Sequence, residues 1–103
     1  MADQQRLRTL AEMPEYTANF DSIVERYSEE VIGPVLTGLL NGIAANPQAY
    51  DRTVWGARIA KSDRYGLTIP TFRIFFQITN EGKDDEAVLL LWIEETNIID
   101  EIT

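Results

Sequence analysis

The sequence predicts one α+β domain, in which a helical first half feeds a small antiparallel β-sheet built from residues after about 56. Three observations predict it. A length of 103 residues with 45% hydrophobic side chains suits a single globular domain. Apolar residues between Ser22 and Ile43 recur at helical spacing. Beyond residue 56 the pattern changes, and Thr71–Thr79 and Ala87–Glu94 become dense in β-branched, aromatic and aliphatic side chains.

The elements follow in order. Arg6 to Met13 fits a short helix, and Glu15 to Phe20, with Tyr16, Ala18 and Phe20 alternating, suits a strand. Ser22 stands three residues before Glu25, the spacing of a capping box, which predicts a helix start there. Ile23, Val24, Tyr27 and Val31 then share a face. Gly33–Pro34 interrupts the pattern, because proline lacks an amide donor and suits a first helical position. Two helices are expected, at about 22–32 and 34–45, with a single kinked helix as the alternative. Asn46–Pro47 ends the second. Residues 48–56 form a loop whose Trp55 is expected in the core, with a place lining the surface as the alternative. Ala57–Lys61 reads as a strand, with Ile59 and Arg58 on opposite faces. Arg64-Tyr65-Gly66 marks a turn. Thr71–Thr79 and Ala87–Glu94 are strands joined by the polar turn at 80–85, an antiparallel hairpin. Thr96–Thr103 suits an edge strand or a docked terminus.

Composition removes several function classes. There is no cysteine, so disulfides, thiolate metal sites and cysteine nucleophiles are excluded, and a reducing compartment is expected. There is no histidine, which excludes a Ser-His-Asp triad and a histidine zinc site. No stretch is long and apolar enough to span a bilayer, and MADQQRLRTL does not resemble a signal peptide, so a cytoplasmic protein with no membrane contact is expected. Asp84-Asp85-Glu86 lacks calcium-loop spacing and reads as a solvated turn. No GxGxxG or GxxxxGK pattern occurs, so neither metal nor cofactor is expected.

The net charge of −8 is uneven. Residues 52–73 carry five basic side chains (Arg52, Arg58, Lys61, Arg64, Arg73) against one acidic, whereas the segments on either side are strongly acidic. Such a chain is a poor general nucleic-acid binder, yet its basic segment can hold an anion locally.

Three segments in order resemble the RelE/ParE toxin superfamily. LLNGIAANPQ (Leu39 to Gln48) resembles the end of that family's second helix, FRIFFQI (Phe72 to Ile78) its central strand, and VLLLWIEE (Val88 to Glu95) the strand that follows. The resemblance implies two N-terminal helices packed on a small antiparallel sheet. It implies a toxin of a type II toxin–antitoxin pair, held by a cognate antitoxin, which either cuts messenger RNA on the ribosome or inhibits DNA gyrase. RNA cleavage through the 2′-hydroxyl needs a group to take its proton and cations to stabilise the phosphate. Arg73 stands where the family carries an arginine, and Arg58 and Lys61 lie on the strand that bears basic residues in the RNA-cutting members. These three are the candidate catalytic residues, with Arg64 and Arg52 as candidate RNA or phosphate contacts. On this reading Arg58, Lys61, Arg64 and Arg73 form one basic face. The chain departs from the family at Glu94-Glu95, where a basic or histidine-bearing end is usual. Two further readings follow: a non-catalytic binding module of this fold, in which Arg73 pairs with Glu94 across the hairpin, or an acidic interaction protein with a basic partner.

Overall fold

The computed structural model describes residues 7–62 and 70–96. In chain order they form β1 (Leu10–Glu12), α1 (Pro14–Tyr27), α2 (Glu29–Ala45), a 3-10 turn at Pro47–Ala49, β2 (Asp51–Arg52), β3 (Arg58–Lys61), β4 (Thr71–Thr79) and β5 (Ala87–Thr96). The strands make one sheet in the order β1-β5-β4-β3-β2. Neighbours run antiparallel except β1, which lies parallel to β5. Two N-terminal helices on a mostly antiparallel sheet is the α+β arrangement the sequence predicts. α1 packs against β5 and α2 against β3.

The core forms where the two periodicities meet. Ile23 of α1 and Ile32, Leu36 and Ile43 of α2 project one apolar stripe toward the sheet. Phe72, Ile74 and Phe76 of β4 and Val88, Leu90 and Ile93 of β5 receive it, all of them buried. Each such side chain contributes about 1.5–3 kcal/mol by leaving water. β5 shows how its run of apolar residues serves one face. Phe75 pairs with Trp92 but Phe76 with Leu90, so Leu91 is an extra residue in the ladder. This bulge lets Leu90 and Ile93, three residues apart, both face the helices.

Several local expectations are corrected. α1 begins at Pro14, not Ser22, with proline at a first-turn position that needs no amide donor. Glu15 to Phe20 is therefore helical rather than a strand. The chain breaks between its helices at Ser28 (φ 66°, ψ 146°), and Pro34 sits inside α2. Within the predicted 6–13 helix, Leu10–Glu12 is instead a strand. It is fixed by distant partners: Val88 donates its amide to Thr9 O at 2.9 Å, and Met13 donates to Leu90 O at 2.9 Å. The turn expected at residues 64–66 and the tail beyond Thr96 lie outside the described residues.

Glu86 is not solvated. It is 8% exposed. It accepts from Arg8 Nε at 2.7 Å, Gln48 Nε2 at 2.8 Å and the Gly82 amide at 2.9 Å. The Gly82 amide and then Arg8 hold its carboxyl below the usual carboxylate range. Arg8 also donates to Ala45 O at 2.7 Å, so one buried carboxylate ties the chain before β1, the end of α2 and the β4–β5 turn together.

Candidate functional site

Among the described residues the helices cover one face of the sheet and leave the other without a covering helix. Strand alternation decides what that open face carries. Phe75 and Trp92 are directly paired, one position out of phase with the buried Ile74 and Ile93, so both project away from the helices. Their ring centroids lie 4.6 Å apart. A third ring comes from the β2–β3 loop. Thr53 closes that loop on both sides of Ala57, with its amide donating to Ala57 O at 2.7 Å and its Oγ1 accepting from the Ala57 amide at 3.1 Å. Gly56 supplies the positive φ of 96° the turn requires. The closed loop lays Trp55 over the sheet, 5.3 Å from Trp92 and 6.0 Å from Phe75.

The three centroids make a triangle with sides of 4.6, 5.3 and 6.0 Å rather than a column, so each ring neighbours both others. Interplanar angles of 11–25° keep them close to parallel. Trp55 stays 51% exposed, and Val54 beside it at the loop tip is fully exposed. The slab has a polar border. Trp92 Nε1 donates to Glu94 Oε1 at 3.1 Å, and the other carboxylate oxygen of Glu94 accepts from Arg73. Arg73 and Glu94 are direct cross-strand partners, and Lys61, exposed, stands opposite Arg73 on the other side. The Arg73–Glu94 pair is about one-third exposed, so it is worth at most about 1 kcal/mol; its effect is to fix both side chains beside the indole.

The candidate residues therefore divide. Lys61 and Arg73 are direct cross-strand partners, in phase with the open face. Arg58 does not join them, because it lies three positions before Lys61 on one strand and so faces the opposite way. It pairs with Phe76 on the helix side. There its guanidinium donates to Tyr50 O at 2.7 Å and Gln48 O at 3.3 Å, with Glu81 3.8 Å away. Arg52 pairs with Arg58 at the short β2 edge, and the two line a cleft of about 360 Å³ with Gln77 and Glu81. Arg64 lies outside the described residues. The single basic face expected of Arg58, Lys61, Arg64 and Arg73 is not formed by the three of them that are described.

Two tyrosines have altered chemistry, and both serve the helix layer. Tyr27 donates to Glu95, which also pairs with Arg26, and this bond raises the phenol's pKa. Tyr16 is buried against Phe20, and burial pushes its pKa up further, with Glu12 adding to the shift.

The slab itself was not anticipated as a site. Trp55 takes the surface alternative rather than the core place, and the loop closure that carries it outward leaves no periodic trace. The outward phase of Phe75 was available in IFFQI, but that of Trp92 depends on the bulge at Leu91. Among the described residues no three potential metal ligands cluster, and no helix is long and apolar enough to cross a membrane. Comparison with protein-family models, curated proteins and solved structures finds no match.

Proposed function

We propose that this chain is a RelE/ParE-like toxin that inhibits its target by binding, without cutting RNA, and that the open face of the sheet grips a protein. The stacked slab of Trp55, Phe75 and Trp92 carries the reading. Exposed tryptophan framed by arginine is the composition that dominates protein–protein binding energy. The rings are held in place before any partner arrives, so little side-chain entropy opposes docking.

RNA cleavage is the weaker reading on the same face. Arg73 is already engaged by Glu94, whose carboxylate would repel a phosphate. Arg58 is turned to the other face. The chain has no histidine to move a proton near neutral pH. Both Trp92 and Phe75 have neighbouring rings against them, which disfavours base stacking at those two.

Induced expression in bacteria tests the proposal. Growth is expected to slow while messenger RNA stays intact, and plasmid supercoiling reports whether gyrase is the target. Trp55→Ala, accumulating to the same soluble level, is expected to restore growth. Normal growth with the unaltered chain, inhibition undiminished by Trp55→Ala, or ribosome-dependent cleavage of messenger RNA would each overturn it.

A further inference from the structure

A second surface lies in the helix layer and does not depend on the sheet face. α1 and α2 are joined by Ser28 alone, and between them runs a groove of about 420 Å³. Its floor is apolar, formed by the buried Ile32 and Leu36 with the half-buried Phe20, Val24 and Leu40. Its rim is acidic: Asp21 and Glu25 stand one turn apart on α1, with Glu29 across from them at the start of α2. Among the described residues no lysine or arginine lines it. Gly33 deepens it. A Cβ at Gly33 would meet only Glu29 Cγ, at 3.7 Å, which is ordinary contact, so helix packing does not demand a glycine there. Glycine inside a helix is otherwise unfavourable relative to alanine.

We propose that this groove docks an amphipathic helical segment of a partner protein, with apolar anchors one turn apart and lysine or arginine on both flanks. Between Glu29 and Leu40 the α2 wall runs about 16 Å, the length of roughly eleven helical residues. Apolar anchors match the floor, and cations match the three carboxylates. A second copy of this chain does not suit, since α2 has no basic residue and α1 has only Arg26. An anionic membrane surface does not suit either, because the rim repels its headgroups.

The test uses fluorescence anisotropy on the full chain with a labelled helical peptide of about 14 residues, leucines at successive turns and lysine flanks, and a twin with glutamate flanks. The lysine peptide is expected to bind at least tenfold tighter than its twin, and more weakly as salt is raised. Gly33→Leu fills the groove and is expected to weaken the lysine peptide at least tenfold with no fall in Tm. The double variant Glu25→Lys/Glu29→Lys, which alters exposed positions only, is expected to reverse the preference between the peptides. Trp55→Ala is expected to leave binding unchanged, which separates this site from the sheet face. Absence of lysine-peptide binding, equal binding of both peptides, wild-type binding by Gly33→Leu when its Tm is retained, an unreversed preference in the double variant, or loss of binding in Trp55→Ala overturns the proposal.

Discussion

Trp55 and Trp92 lie with their ring planes 11° apart and centroids 5.3 Å apart, although one belongs to a loop and the other to a central strand. The contact makes the β2–β3 loop part of the sheet's open surface. It also sets apart two kinds of aromatic residue in one small domain, those that hold the fold together and those that cover its outside.

That division gives the first prediction. Trp55→Ala removes ring contacts worth about 0.5–1.5 kcal/mol each from a half-exposed site, so stability falls modestly. Phe76→Ala empties a fully buried position beneath the helices and is expected to cost about 3–5 kcal/mol. Urea titration of both variants checks the ranking. A larger loss for Trp55→Ala would mean the slab is core.

Acid sensitivity is expected to run through Glu86. Its folded carboxyl is held below the ordinary carboxylate pKa, so it contributes stability above that ordinary value. The contribution is lost as pH falls through the lower, folded value. Glu86→Gln is therefore expected to be less stable than the parent above about pH 5, and the gap is expected to close on acidification. Urea midpoints measured for both proteins across the acid range check this, and a gap that stays constant would contradict it.

At the alkaline end the sign reverses. Tyr16 and Tyr27 have folded pKa values above the ordinary phenol value, so their contribution is complete below about pH 10 and is lost as pH rises through the folded values. Tyr27→Phe removes one of the two phenols and is expected to flatten the alkaline decline in stability. Phenolate absorbance during a base titration, compared between parent and variant, identifies the late-titrating group.

The parts legible in the sequence are those where neighbouring residues decide the structure. Thr71–Thr79 is β4 from end to end, because β-branched and aromatic residues fill every position but Arg73 and Gln77. The pairing of Arg73 with Glu94 is also legible as one of two readings, but the polar turn alone would set Arg73 opposite Ile93, and it is the bulge at Leu91 that moves Glu94 into place. β1 was not legible, because three residues are too few to show a period and its parallel partner lies more than seventy positions away. The open-face site was legible only in part. Arg73 and Lys61 were singled out by charge, but parity along β3 separates Arg58 from them, and the register that reveals this needs both strands.

The helix break concentrates the last disagreement, and it is testable. Gly33–Pro34 has the chemistry of a break, yet the chain turns at Ser28, a non-glycine residue with φ 66° and ψ 146°. A side chain there costs roughly 1–3 kcal/mol of backbone strain. Ser28→Gly is expected to stabilise the fold by about 1 kcal/mol, since part of the relief is offset by the greater freedom of glycine in the unfolded chain. Pro34, by contrast, interrupts a helix that the surrounding core holds together. Pro34→Ala is expected to stabilise by about 1–2 kcal/mol, as the restored amide can donate to the carbonyl four residues earlier. The two sites lie six residues apart and share no partner in the hydrogen bonds described, so the gains are expected to add within about 0.5 kcal/mol in the double variant. Urea titration of the two single variants and the double checks the set. Destabilisation by Ser28→Gly would show that the turn between the helices depends on the serine itself.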